Sequence, residues 1–342
     1  MHEGATPEPT EPIASVKLTV QLDSRINYAL QQNDVPVVKE IHIENLSATP
    51  IKDLRLEVRA EPQFASTWVQ HLEVLPENAT HLLRTVNLLL LPDFLASLSE
   101  RMRGILHFTL TMGDKVLASH AEPVELLAYD EWSGLQSLPE ILAAFVLPNH
   151  PAVESVLVRA SDLLRAHTSD GSLSGYQSRS RERVWAATEA IYSALSEKDL
   201  RYSSPPASFE QTGQKIRTPD RILDGKLATC LDLAVLASAC LEQAGLNPLV
   251  IITRGHAFVG VWLDEECFAQ SAEDDPLKLR KREELSEIGV FEATCLAHTP
   301  RVDFARAVAE GKKNLQTPEN FLCMIDIYRA RKSSIRPLPL RT

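Results

Sequence analysis

The chain has 342 residues, 44% of them hydrophobic and 24% charged, with a formal net charge of -11. This is the composition of a globular chain long enough for two hydrophobic cores, and its acidity argues against a broad nucleic-acid or anionic-membrane surface. No apolar run is long enough to span a bilayer, and residues 1–12, rich in Pro, Glu and Thr, lack the basic and apolar stretches of a signal peptide, so a cytoplasmic location is expected.

Residues 1–14 read as a disordered tail. From 15 to 128 the pattern is strand after strand: Val16, Leu18, Val20 and Leu22 alternate, as do Leu54, Leu56 and Val58, and then Leu106, Phe108, Leu110 and Met112. Turn-forming stretches separate them, among them Gln32-Asn33-Asp34, Pro76-Glu77-Asn78 and Gly113-Asp114. Roughly seven strands at this spacing imply an all-β, immunoglobulin-like sandwich, a scaffold or partner-binding module with no chemistry of its own. Asn45-Leu46-Ser47 and Asn78-Ala79-Thr80 match a glycosylation pattern that has no meaning without secretion.

After Trp132 the period becomes helical, and residues 138–146, 153–166 and 181–195 read as three amphipathic helices, the last carrying Trp185, Ile191 and Leu195 inward. A loop, Tyr202-Ser203-Ser204-Pro205-Pro206, leads to the Gln214 segment. Thr229 then caps a helix that starts at Cys230, with Asp232 closing a capping box. Leu231, Leu233, Ala234, Leu236, Ala237, Cys240, Leu241 and Ala244 follow at helical spacing, and Gly245 stops the helix. A thiol at the first helical position meets free backbone N–H groups and the positive end of the helix dipole, which favour an anionic sulfur.

Pro248 and the run Leu249–Thr253 lead through Arg254-Gly255 into His256–Leu263, which reads as a hairpin. Period two puts His256, Phe258, Gly260 and Trp262 on one face, so His256 heads its strand where it can face the Cys230 end of the helix. A nucleophile, a device to ionise it and a base thus occur in order. Taken alone, Cys230 is more often a small core residue and His256 a surface one; the constellation is what carries the reading.

These residues resemble the transglutaminase-like branch of the papain-type cysteine enzymes, in which a helix-start Cys, a later Gly-His-aromatic strand and an acidic residue on the next strand form a triad. The resemblance implies an α+β domain over 129–332. It assigns Cys230 as nucleophile, His256 as base and Glu292, in Val290-Phe291-Glu292-Ala293-Thr294, as orienting carboxylate. The family's Asp-Pro-Thr is replaced here by Glu-Ala-Thr, and a charged, helical insert over 274–288 separates it from His256. Asp264 is the fallback acid. The Cys230 backbone N–H and the Gln214 side chain, with Gln211 less favoured, are the oxyanion donors the resemblance implies. The chemistry it implies is acyl transfer, by hydrolysis of a peptide, isopeptide or other amide bond in a protein or peptide substrate; a catalytically inactive interaction module is the alternative.

A second resemblance covers nearly the whole chain. Phe145-Val146-Leu147-Pro148-Asn149-His150-Pro151, Gly175-Tyr176-Gln177-Ser178, Pro205-Pro206-Ala207-Ser208-Phe209-Glu210, Gly213-Gln214-Lys215-Ile216-Arg217 and Ile335-Arg336-Pro337-Leu338 resemble the N-terminal region of large bacterial proteins in which a superfamily-one DNA helicase core and a nuclease-like domain follow. It implies an attached or associated helicase in DNA processing or phage defence. This chain has no phosphate-binding loop motif and is not the motor.

Five cysteines, Cys230, Cys240, Cys267, Cys295 and Cys323, are odd in number and irregular in spacing and give no disulfide framework. Cys295 and His298 form half of a zinc site with no answering pair, so neither metal nor cofactor is expected. The basic cluster over 278–282, followed by Glu283 and Glu284, reads as the solvated face of a helix. A helix is expected from Pro318, with Phe321, Ile325 and Tyr328 on one face, and residues 333–342 read as a departing linker or tail.

Overall fold

A computed structural model describes residues 16–84 and 86–340 of the chain; the tail expected over 1–14 lies outside them. The chain divides into two compact units. The first holds described residues up to Ile26 together with Asp34–Leu126, and the second holds Asn27–Asn33 with everything from Leu127 onward. The change of period led to an expected boundary at 128; the units meet between Leu126 and Leu127, and Asn27–Asn33 belongs with the second unit.

In the first unit, β1 (Val16–Leu22) and β2 (Arg25–Ile26) precede α1 (Tyr28–Gln32), which is part of the second. β3 (Val38–Asn45), β4 (Ile51–Glu61), β5 (Trp68–Leu75), β6 (Thr80–Leu83), a short α2 (Pro92–Ser97), β7 (Met102–Met112) and β8 (Lys115–Leu126) follow. They form a three-stranded sheet in the order β1-β3-β6 and a five-stranded sheet in the order β2-β8-β7-β4-β5. The register explains the alternation: Leu56 lies opposite Leu110 and Val58 opposite Phe108, so buried side chains meet buried partners across the ladder. Gly113-Asp114 makes the two-residue turn between β7 and β8, Gly113 supplying the positive φ of 57°. Asn45, formally a glycosylation acceptor, is buried, and its amide nitrogen donates to the carbonyls of Thr49, Leu75 and Pro76.

The second unit continues through β9 (Glu131–Trp132), a 3-10 turn over Pro139–Phe145, α3 (Pro151–Thr168), α4 (Arg181–Ser196), β10 (Arg201–Tyr202), α5 (Phe209–Thr212), β11 (Gln214–Lys215), α6 (Pro219–Gly225) and β12 (Leu227–Ala228) to α7 (Cys230–Gln243). After it come β13 (Pro248–Thr253), β14 (His256–Trp262), β15 (Ala272–Glu273), α8 (Pro276–Glu284), β16 (Ile288–Phe291), α9 (Phe304–Asn314), β17 (Phe321–Asp326) and α10 (Ile327–Lys332). Five strands make an antiparallel sheet in the order β15-β17-β13-β14-β16, on which α7 packs.

Every residue of α7 from Cys230 to Leu241 is buried, so the helix is a core element on all sides. Its leucines each contribute about 2 kcal/mol of burial, which is what holds the helix start in place. Arg331 pins the other end: its guanidinium donates to Glu242 at 2.8 and 3.0 Å and to the carbonyls of Ala143, Val146 and Ile335.

Three expectations are corrected. The helix expected from Pro318 is a strand, β17, followed by the short α10; the apolar run Phe321-Leu322-Cys323-Met324-Ile325 has a periodicity compatible with either state, and pairing with β13, where Ile251 faces Met324, decides for the strand. Residues 138–146 form a 3-10 turn rather than an α-helix. Residues 333–340 do not depart as a linker. Leu338 N donates to Ala144 O at 2.7 Å, Gln32 Nε2 to Pro337 O at 2.7 Å and Tyr129 Oη to Pro339 O at 2.6 Å, so this segment is tied to the second unit.

α9, which sequence periodicity did not reveal, lies against β16 because Gly311 lets the backbones approach; a Cβ there would stand 2.8 Å from Phe291 Cα. Gly311→Ala is expected to cost about 1–3 kcal/mol by overpacking, read as a lowered urea midpoint followed by tryptophan fluorescence. An unchanged midpoint would show that α9 can shift freely.

Candidate active site

The start of α7 is held by a closed set of polar contacts. Thr229 Oγ1 accepts from Asp232 N at 3.2 Å, and Asp232 Oδ2 accepts from Thr229 N at 2.9 Å, which is the capping box the sequence predicts. Asp232 is fully buried and accepts two further bonds, from Arg217 N at 2.8 Å and Arg217 Nη1 at 2.6 Å. Gln214 Nε2 donates to Thr229 Oγ1 at 3.0 Å, so one of its two amide protons is spent on the cap, and its Oε1 is buried without a partner. Gln211 lies exposed on α5.

His256 heads β14 opposite Thr253, across the two-residue turn Arg254-Gly255 in which Gly255 takes φ 68°. Its Nε2 donates to Glu292 Oε2 at 2.7 Å. The Cys230 thiol interacts electrostatically with the same ring. With Nε2 held by the carboxylate, Nδ1 is the ring nitrogen left to face the sulfur.

Glu292 is buried and caps the 3-10 turn Ala293–Ala297 that follows β16. Its Oε1 accepts from Thr294 N and Thr294 Oγ1, both at 2.8 Å, while Oε2 accepts from His256 and from Asn314 Nδ2 at 2.7 Å. Four donors fix this carboxylate in one orientation. Burial pushes its pKa up, but the His256 hydrogen bond and charge, with the Thr294 donors, outweigh that and hold it below the ordinary 4.5. For His256, burial pulls the imidazolium pKa down, and interaction with Cys230 and Glu292, including the hydrogen bond it donates to Glu292, lifts it to about 10. These contacts favour the protonated ring. The other cysteines are quenched by burial: Cys240 and Cys323 are pushed up to about 12, Cys295 to about 11, and Cys267 is also raised.

The fallback acid is not brought to the site. Asp264 follows the far end of β14 and pairs with Arg181 at 2.5 Å, because a strand of seven residues separates its two ends by most of the sheet's width. Cys295 lies within the 3-10 turn that Glu292 begins and His298 ends, and among the described residues no group of three or more metal-ligating side chains occurs.

Two residues at the site were not predicted. Asn314 stands on α9, and no sequence signal marked that helix as facing Glu292. Tyr202 stands on β10, whose parallel bridge to β12 sets Tyr202 beside Ala228. Its hydroxyl interacts electrostatically with Cys230. An open cleft of about 430 Å³ is lined by Tyr202, His256, Thr294, Ala297, His298 and Thr299. Cys230 itself has no exposed surface.

The family profile of a transglutaminase-like domain matches residues 170–281, a stretch that contains Cys230 and His256 and ends before Glu292. No curated protein matches the chain. Similar solved structures include an alkylpurine DNA glycosylase, AlkC, from Pseudomonas fluorescens bound to DNA containing an abasic-site analogue, 16% identical over 32% of this chain and 30% of that one, with a TM-score of 0.20. A putative protease from Parabacteroides distasonis is 12% identical over 77% and 46% of the two chains, with a TM-score of 0.21. A family 76 glycoside hydrolase from a bovine Bacteroides thetaiotaomicron strain is 12% identical over 94% and 64%, with a TM-score of 0.18. The chain spans less than two thirds of the length of each, and at these TM-scores none of them bears on the fold or the site. No helix among the described residues is long and apolar enough to cross a membrane.

Proposed function

We propose that the second unit is a cysteine-dependent acyl-transfer enzyme that hydrolyses a peptide, isopeptide or other amide bond. The observation that supports this most is the line Glu292–His256–Cys230: a buried, four-fold hydrogen-bonded carboxylate behind an imidazole whose other nitrogen faces a thiol at a helix start. In this reading the Cys230 sulfur attacks the acyl carbon, and the His256 proton passes to the leaving nitrogen as the C–N bond breaks. Water then attacks the thioester, its proton goes to His256, and the C–S bond breaks to release the acid. Glu292 stabilises the imidazolium and holds its tautomer. The Cys230 backbone N–H and the second Gln214 amide proton serve the oxyanion from the helix side. The substrate is a protein or peptide, and neither metal nor cofactor takes part.

The first unit is proposed to be an immunoglobulin-like sandwich that serves as scaffold, and the whole chain to be the accessory front end of a larger DNA helicase-like protein in the cytoplasm; five free cysteines accord with a reducing compartment. A second reading, a catalytically inactive module that positions partners in DNA processing or phage defence, is favoured by the absence of exposed surface on Cys230.

Iodoacetamide labelling read cysteine by cysteine by mass spectrometry separates the two. The enzyme reading expects Cys230 to be alkylated at pH 6–7 ahead of Cys240, Cys267, Cys295 and Cys323, and Cys230→Ser to remove the fast phase. Labelling of Cys230 no faster than the other four would leave the module.

A further inference from the structure

We propose that Tyr202 is a catalytic residue, its phenolic hydroxyl donating to the oxyanion that forms when Cys230 attacks an acyl carbon, from the side of the open cleft. The inference rests on the acyl-transfer reading and adds to it a group to which the sequence reading gave no role.

The geometry that carries it begins with the backbone. β10 is tied to β12 by Arg201 N donating to Lys226 O and Ser203 N donating to Ala228 O, each at 2.8 Å, and β12 runs through Thr229 directly into Cys230. The strand that carries the phenol and the strand that delivers the thiol are thus one hydrogen-bonded ribbon, so the Tyr202 backbone is held two residues from Cys230 across the ladder. The ring is half in solvent, at 42% exposure, and lines the cleft together with His256. A substrate carbonyl arriving through that cleft places its oxygen one bond away from the attacked carbon and hence beside the sulfur. A phenolic donor that lines this cleft with His256, on a strand paired two residues before Cys230, stands on the side where the negative charge develops.

On the helix side, Gln214 has one amide proton engaged by Thr229 and is almost wholly buried, whereas Tyr202 and His256 both line the cleft, and the His256 proton is needed by the leaving group. Burial, interaction with Cys230 and the charge of Glu292 push the Tyr202 hydroxyl up to about 12, so it stays a donor at any pH at which the enzyme works. Donors aimed at developing charge in a water-poor site are the strongest contributors to acyl transfer.

The test compares two electrophiles on the whole chain. p-Nitrophenyl acetate acylates a thiol through a tetrahedral oxyanion, releasing p-nitrophenolate in a burst; iodoacetamide alkylates it by direct displacement at carbon, with no oxyanion. Tyr202→Phe is expected to slow the Cys230-dependent burst by about 10²-fold or more, the size of losing one oxyanion donor, while alkylation of Cys230 stays within about five-fold of wild type. Parallel loss of both rates would make Tyr202 only a thiolate partner, parallel gain would make it only a cover over the sulfur, and no change in either would make it a bystander; each overturns the proposal. A wild-type chain that alkylates rapidly at Cys230 but gives no burst would overturn the oxyanion role while leaving the reactive thiol in place, and one that does neither would remove the enzyme reading itself.

Discussion

Glu292→Gln is expected to lower Cys230-dependent acyl transfer at pH 7 by about 10⁴-fold, the scale seen when the orienting carboxylate of a catalytic triad becomes an amide. The carboxylate offers two acceptor oxygens to four donors, and the amide offers one oxygen and one NH₂. If the oxygen keeps His256 and Asn314, the NH₂ group turns toward Thr294 N–H; if it keeps Thr294, the NH₂ group meets His256 and Asn314. Either way a donor faces a donor, and the charge that stabilises the imidazolium is gone. The His256 pKa, lifted to about 10 in part by Glu292, should therefore fall, since burial then acts against fewer opposing contacts. An NMR titration of the ring checks this. A ring that still titrates near 10 in the variant would assign the lift to Cys230 alone and remove Glu292 from the triad.

The same pair sets a pH signature in stability. His256 is raised above its ordinary 6.5, so its contribution is complete below about pH 6.5, declines as pH rises and is lost through pH 10. Glu292 is depressed below its ordinary 4.5, so its contribution is present above that value and lost as pH falls through the lower folded-state value. The stability gap between wild type and Glu292→Gln should be widest between about pH 4.5 and 6.5 and shrink toward pH 10.

Asp232→Asn is expected to destabilise the second unit by about 1–3 kcal/mol, the cost of leaving buried hydrogen-bonding groups unsatisfied. Asp232 is fully buried and its two oxygens accept from Thr229 N, Arg217 N and Arg217 Nη1. An amide turns one acceptor into a donor aimed at an N–H and strips the neighbour of Arg217 of its charge. Urea unfolding followed by tryptophan fluorescence measures it, Trp132, Trp185 and Trp262 all lying in the second unit. A loss under about 1 kcal/mol would show that the cap, not the ion pair, holds the start of α7. Because Cys230 sits inside this capping box, the variant should also lose selective alkylation as the helix start loosens.

Much of this site is local in sequence and was legible there. Thr229-Cys230-Leu231-Asp232 specifies its own capping box over four consecutive residues, and Arg254-Gly255 between two β-rich runs specifies a hairpin that starts at His256. The alternation of Leu54, Leu56 and Val58 likewise encodes its buried face, because a strand's period of two is a property of the backbone alone. The misreadings have a common physical origin. Phe321–Asp326 carries a short apolar run that suits a helix or a strand equally, and only the open edge of β13 chooses between them. Pro337 and Pro339 read as a linker, yet their carbonyls find donors in Gln32 and Tyr129, residues some two hundred or more positions away along the chain.

What the sequence by itself determined is therefore the set of features whose pattern is local: the Cys230 helix and its cap, the His256 hairpin, the alternating faces of the first unit's strands, and the candidacy of Glu292. The tertiary structure decided what meets what. It set Asn314 against Glu292, Tyr202 against Cys230, and Asp264 against Arg181 instead of His256, because contacts between elements depend on sheet order and helix placement, which arise from burying surfaces contributed by the whole unit rather than from the spacing of any one segment.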